Sequence, residues 1–318
     1  MGTPYASRYT SVADWERLPS RQVNTNGIKL KVTEHGEGPL VILCHGFPEL
    51  GFSWRHQVFD LARAGYRVIA PDMRGYGGSS RPEDPGAYDI RTLAGDLTGL
   101  LDELNEDRAV FVGHDWGANV VWNLALAHPD RVTAVAGLSV PISPRPPVPP
   151  IEVLRQRFGD DFYIVWFQEP GIADRVLRQN VPAVLLADDI RASTWRQEAT
   201  PTAATLKAAR PWLSEEEFQV FVRAFAETGF TGGLNYYRNI DRNWEQAGSF
   251  GKKTIDCPSL FIAGSEDLVT TYMSAKRLPD VLTDLRGRVV LDGAGHWIQQ
   301  ERPAEVSGAL ITFLGSLA

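Results

Sequence analysis

Two short apolar stretches near the start of the chain flank Asn26-Gly27, the dipeptide best suited to a two-residue turn. Ile28, Leu30 and Val32 alternate there with Lys29, Lys31 and Thr33, the period of a strand with one wet face. The pattern then changes. Residues 40–44, 68–70, 109–112 and 132–138 are nearly continuous apolar runs, which suit parallel strands buried on both faces. Helical periods lie between them: Trp54, Val58, Leu61 and Ala62 share one face, as do Ile90, Leu93, Leu97, Leu100, Leu101 and Leu104, and as do Ala118, Val121, Trp122, Ala125 and Leu126. Alternating strands and helices predict an α/β fold with a mostly parallel central sheet flanked by helices.

The alternation stops at residues 141–150, where six prolines exclude a regular element. Beyond them the chain is aromatic-rich, and its periods predict helices over 154–166, 174–179, 215–227 and 234–244. Strand patterns return at 260–263 and 288–291. Val306, Leu310, Phe313, Leu314 and Leu317 then mark a terminal helix. The simplest organisation is a core of residues 1–140 and 251–318 interrupted by a helical lid at 141–250. No internal repeat is visible.

The 318 residues carry 32 Lys plus Arg against 39 Asp plus Glu, a formal charge of −7 with no long run of one sign. Such a surface repels phosphate backbones, so no nucleic-acid partner is expected. Two cysteines, Cys44 and Cys257, make no disulfide framework and are expected as reduced, buried thiols. The opening MGTPYASRYT lacks the apolar core of a secretory leader. Ala6 stands where a myristoylation pattern needs Ser or Thr. No run nears the ~18 apolar residues of a membrane span. A cytoplasmic protein is the expectation.

The sharpest local motif is Gly113-His114-Asp115-Trp116-Gly117, between a buried strand and a helix. It matches the nucleophile elbow of the α/β-hydrolase fold, with Asp in place of the usual Ser. The competing reading is an Asp serving only as a helix N-cap. Downstream, Gly264-Ser265-Glu266-Asp267 and Gly295-His296-Trp297 each follow a strand, which gives the chain order nucleophile, acid, histidine. Glu266 is the alternative to Asp267 as the acid. His45-Gly46-Phe47-Pro48 follows the first core strand. It points to the amides of Phe47 and Trp116 as an oxyanion hole, while His45 and His114 read as structural. A carboxylate nucleophile attacks an sp3 carbon to give an alkyl ester, and a His-activated water then hydrolyses that ester. The chemistry suits epoxides and haloalkanes. No cofactor or metal is called for.

The segments HGFPE, PDMRGYGGS, GHDWG, FQEPG, LNYYRN and GHWIQQERP resemble those of the soluble α/β-hydrolase-fold epoxide hydrolases, from about residue 22 to the C-terminus. That resemblance implies an α/β-hydrolase fold with an inserted helical lid, or cap. It implies an ether-bond hydrolase that turns a small apolar epoxide and water into a vicinal diol, in a detoxifying or a biosynthetic role. It implies Asp115, His296 and Asp267 as the catalytic triad. It also implies that Tyr163, shortly before FQEPG, and Tyr237, the last tyrosine of LNYYRN, protonate the epoxide oxygen, with Tyr236 as the neighbouring alternative. GHDWG is shared with haloalkane dehalogenases, which often carry Asn where this chain has Phe47. That enzyme class and a non-catalytic ligand-binding member of the fold are the competing readings. Self-association into a homodimer is left open.

Overall fold

The computed structural model describes residues 11–187, 189–196, 202–249 and 253–317. The expectations on the opening decapeptide and the lid boundary at Phe250 lie outside the described residues. Contacts divide the chain into two compact units. The first is Met1–Met73, Arg91–Pro144 and Phe250–Ala318, and the second is Arg74–Ile90 and Arg145–Ser249.

The first unit contains an eight-stranded sheet of order β1-β2-β4-β3-β5-β6-β7-β8. In chain order these are β1 Ser20–Thr25, β2 Ile28–His35, β3 Leu40–Cys44, β4 Arg67–Pro71, β5 Ala109–His114, β6 Val132–Leu138, β7 Ser259–Gly264 and β8 Leu285–Leu291. Asn26 and Gly27 both take positive φ, and Thr25 pairs with Ile28, so the expected two-residue hairpin forms. β2 runs antiparallel to β1 and to β4, and the pairs from β4 through β3 to β8 are parallel. Every residue of β3 and β5 is buried, as their unbroken apolar runs require. Thr33 departs from its expected wet face. It is buried opposite Ala70 of β4.

One core cluster joins Val41 and Leu43 of β3, Val58 and Leu61 of the helix Arg55–Arg63, and Leu310 and Phe313 of the helix Pro303–Gly315. Each such side chain contributes about 1.5–3 kcal/mol of burial. After β3 the chain builds β4 on one side and β5 on the other. The carboxyl ends of β3 and β5 therefore flank the point where strand order reverses, the usual crevice for ligands in such sheets.

The second unit is helical, and its breaks are finer than the sequence periods predict. The stretch 154–166 is two helices, Pro150–Phe158 and Tyr163–Trp166. Gly159 ends the first at φ 81°, a conformation open to glycine, and its N–H caps the carbonyl of Arg155. The stretch 234–244 divides at Asn239 into Thr231–Arg238 and Ile240–Ala247. The Asn239 amide donates to the carbonyls of Asn235 and Pro85. Three short helices, Val181–Leu186, Ala192–Trp195 and Ala203–Ala209, have too few turns for a period to reveal them. Arg74–Ile90 groups with these helices. Tyr236 Oη donates to the carbonyl of Arg74 at 2.8 Å, and a Cβ on Gly75 would lie only 2.9 Å from Gly232 Cα.

Candidate active site

The elbow is built by close backbone approach. β5 ends at His114, and the helix Trp116–Ala127 begins at once, which forces Asp115 to φ 53°, ψ −119°. A non-glycine residue pays about 1–3 kcal/mol for such a conformation. The flanking glycines make the turn feasible: a Cβ on Gly113 would strike the backbone of Gly117, and one on Gly117 would strike the carbonyl of Cys44. Asp115 stands in the N-cap position, yet its side chain makes no cap hydrogen bond. Its Oδ1 instead accepts from Phe47 N at 2.8 Å. The carboxylate is thus held across the switch point by the loop after β3. The Trp116 amide lies at the open, positive end of the same helix.

His296 follows β8. Its Nε2 lies 3.5 Å from Asp115 Oδ2, and its Nδ1 lies 3.0 Å from both oxygens of Asp267. Asp267 is buried and also accepts from Val269 N, whereas Glu266 is exposed. Burial opposes the charge on His296, but the carboxylates of Asp267 and Asp115 outweigh it and hold its pKa well above the ordinary value. Burial likewise opposes the charge on Asp267, and the facing imidazole and the Val269 N–H outweigh it, so its pKa is lowered.

Groups that the sequence reading left without a role hold this triad in place. The amides on both sides of His296 donate to Glu301: Gly295 N to Oε2 at 2.7 Å and Trp297 N to Oε1 at 2.9 Å. The His296 carbonyl accepts from Ser139 Oγ at 2.7 Å and lies 2.8 Å from His114 Nε2. His114 Nδ1 meets Glu49 Oε2 at 2.6 Å, and the same oxygen accepts from Gly46 N at 3.0 Å. Glu49 Oε1 accepts from Gln299 and Gln300. Burial would raise the pKa of Glu49, but the His114 charge and hydrogen bond take it down to about 2. Glu49 and Glu301 lie inside HGFPE and QQERP. Their place in those motifs was the available signal, but no spacing rule says which backbone amides a carboxylate will reach. His45 is structural in its contacts, with Nδ1 against the carbonyl of Gly46 and Nε2 accepting from Met73 N.

Cys44 and Cys257 are both free. Cys44 is buried, Cys257 only half-buried, and burial pushes both thiols up, Cys257 to about 11.

Tyr163 and Tyr237 belong to the helical unit, and within it they are neighbours, with ring centroids 5.7 Å apart and planes at 74°. Phe167 packs against both, and Trp195 stacks on Tyr163. Tyr236 points elsewhere, its hydroxyl committed to the Arg74 carbonyl.

A family model described as the alpha/beta hydrolase fold matches residues 39–303. Epoxide hydrolase A of Mycobacterium tuberculosis is 52% identical over 93% of this chain and 97% of its own length. Epoxide hydrolase 1 of Siraitia grosvenorii is 40% identical over 94% and 99%. Among solved structures, epoxide hydrolase A from Mycobacterium thermoresistibile superposes with a TM-score of 0.85 at 47% identity, over 94% of this chain and 98% of that one. The chain belongs to the α/β-hydrolase-fold family, in its epoxide hydrolase branch. No helix of the described residues is long and apolar enough to cross a membrane.

Proposed function

We propose that this chain hydrolyses an apolar epoxide to a vicinal diol through an ester on Asp115. The observation that carries the reading is a carboxylate on a strained elbow, with Oδ1 bound by the Phe47 amide and Oδ2 turned to His296 Nε2. In the first step Oδ2 attacks a ring carbon and the C–O bond of the ring breaks. The ring oxygen keeps the electron pair and takes a proton from Tyr163 or Tyr237, phenols whose ordinary pKa near ~10 suits an opening alkoxide better than water does. In the second step His296 Nε2 takes a proton from water, and the hydroxide attacks Asp115 Cγ. The oxyanion forms on Oδ1 against the Phe47 and Trp116 amides. The Cγ–Oδ2 bond breaks, and Oδ2 leaves as the second hydroxyl of the diol with the proton from His296. The second proton of the water is released from the rebuilt Asp115 carboxyl to solvent, and solvent returns one to the tyrosinate, so Asp115, His296 and the tyrosine are all restored.

The electrostatics fit this order. Two carboxylates raise the pKa of His296 in the resting site. Ester formation neutralises Asp115, removes one of them, and so turns His296 towards acting as a base when water must be activated. The charge of −7 and the free thiols further support a cytoplasmic enzyme without a nucleic-acid partner.

The test is His296→Gln mixed with an aryl epoxide and followed by intact-protein mass. Alkylation should proceed while hydrolysis stalls, leaving an adduct with the full mass of the epoxide on the Asp115 peptide. A haloalkane substrate would add only its alkyl group and release halide, and a pure binder would leave no adduct after denaturation. An adduct on Cys44 or Cys257 instead would remove Asp115 as the nucleophile.

A further inference from the structure

The helical unit contains a set of hydrogen bonds that the proposed chemistry does not itself use. Gln168 Nε2 donates to the carbonyl of Ile164 at 2.8 Å and to the carbonyl of Tyr237 at 3.0 Å. The first carbonyl belongs to the residue after Tyr163, and the second to Tyr237 itself. One amide group therefore spans both tyrosine-bearing helices, Tyr163–Trp166 and Thr231–Arg238. Arg238 adds a second tie between the same segments. Its Nε donates to the carbonyl of Phe167 at 3.1 Å, its Nη1 to Asn235 Oδ1 at 2.9 Å, and its Nη1 and Nη2 both reach the carboxylate of Asp174.

The tyrosine at 163 needs such support. Its helix is a single turn of four residues with no side-chain N-cap, too short to hold its own geometry. Elsewhere it is tied by Tyr163 N to the carbonyl of Ile190 and by the bridge between Phe162 and Arg191, neither of which refers to Tyr237. Gln168 and Arg238 supply hydrogen bonds that relate one tyrosine-bearing segment to the other.

We propose that Gln168, seconded by Arg238, is a positioning residue for the acid half of the reaction: it fixes the spacing of Tyr163 and Tyr237 so that both hydroxyls reach one oxygen. The inference rests on the reading of these two tyrosines as the acids. Two donors stabilise a developing charge only when both lie about 2.7–3.1 Å from the same atom. An error near 1 Å in such placement costs on the order of a hundredfold.

Gln168→Met keeps the length of the side chain and removes both N–H donors. Single-turnover kinetics with an aryl epoxide would read ester formation and ester hydrolysis separately, beside Tyr163→Phe and Tyr237→Phe. Gln168→Met should slow ester formation roughly ten- to a hundredfold. Hydrolysis, which uses His296 and neither tyrosine, should stay within about twofold. In a Tyr237→Phe background the substitution should add less than about threefold, because a lone hydroxyl has no partner to be spaced from and the substrate can follow it. Arg238→Lys retains the charge but loses the Nε bond to Phe167. It should give the same selective loss, and it decides the matter if Gln168→Met unfolds. Equal slowing of both steps, or full multiplication of the losses in the Tyr237→Phe background, would mean a general structural role and overturn the proposal. So would unchanged ester formation in Gln168→Met while the tyrosine variants are slow. Tyrosine variants with wild-type ester formation would instead overturn the acid assignment on which the proposal stands.

Discussion

Gly46→Ala is the smallest change that should disable the nucleophile without touching it. A methyl on Gly46 would lie 2.8 Å from Asp115 Cγ, and closer still to its Cβ and Oδ1. Carbon atoms pack comfortably at about 3.5–4.0 Å, so relief requires a shift of about 1 Å by Asp115 or by the loop after β3. Neither yields easily. Asp115 is locked in the elbow by the close backbone approaches at Gly113 and Gly117, and Gly46 N is anchored on the buried Glu49. Whichever side moves, the Phe47 bond to Oδ1 and the approach of His296 to Oδ2 change together. A misplacement of ~1 Å costs on the order of a hundredfold, and a lost oxyanion donor about a hundred- to a thousandfold. Both half-reactions use Asp115, so ester formation and ester hydrolysis should each fall by about a hundredfold or more. The fold should lose about 1–3 kcal/mol through overpacking. Rapid mixing of enzyme in excess over epoxide, with mass detection of the ester, would measure both steps, and thermal unfolding would report the second cost. Gly308→Ala is the control. Nothing lies within 4 Å of its new methyl, and it sits inside Pro303–Gly315, so kinetics should hold and the helix should gain about 1 kcal/mol. A folded Gly46→Ala enzyme that forms the ester within about threefold of the wild-type rate would refute the steric argument.

Asp115→Asn mimics the neutral ester, so the pKa of His296, followed by NMR titration, should fall from its raised resting position; a value unchanged from wild type would remove the electrostatic switch between the two steps. Burial would raise the Glu49 pKa, but the His114 charge and hydrogen bond hold it down to about 2 in the folded chain against an ordinary 4.5, so its contribution to stability is complete above pH 4.5 and disappears as pH falls through the folded value. The Tm advantage of wild type over Glu49→Gln should therefore shrink across that window, and an advantage that stays constant from pH 6 to pH 2 would show that the buried ion pair is not its source.

The sheet was legible because burial on both faces leaves an unmistakable trace: β3 and β5 are apolar at nearly every position. The hairpin was legible because Asn26-Gly27 suits one kind of turn, and it formed that turn. Helical breaks were not. Gly159 ends its helix through a positive φ, but glycine inside a periodic stretch is also tolerated, so the letter alone does not decide. The grouping of Arg74–Ile90 with the helices was invisible for a different reason. It depends on Gly75 meeting Gly232 and on Tyr236 reaching the Arg74 carbonyl, contacts more than a hundred and fifty residues apart that no local pattern encodes.

The same distinction runs through the site. Asp115, His296 and Asp267 could be proposed because each falls on a loop after a strand and the fold fixes the order of those loops, while Glu266 beside Asp267 kept the acid ambiguous in the sequence. Their supports could not. Glu49, Ser139 and Glu301 act on backbone groups: the amide of Gly46, the carbonyl of His296 and the amides beside it. A backbone amide has no letter of its own, so a residue whose task is to hold one is silent in the sequence. Gln168 belongs to the same class, since both of its acceptors are carbonyls. FQEPG and LNYYRN look like unrelated words in the chain, yet the bond from Gln168 to Tyr237 makes them one device. A side chain that reaches from one motif to the backbone of the other, as Gln168 does, is therefore the place to probe how the two segments act together.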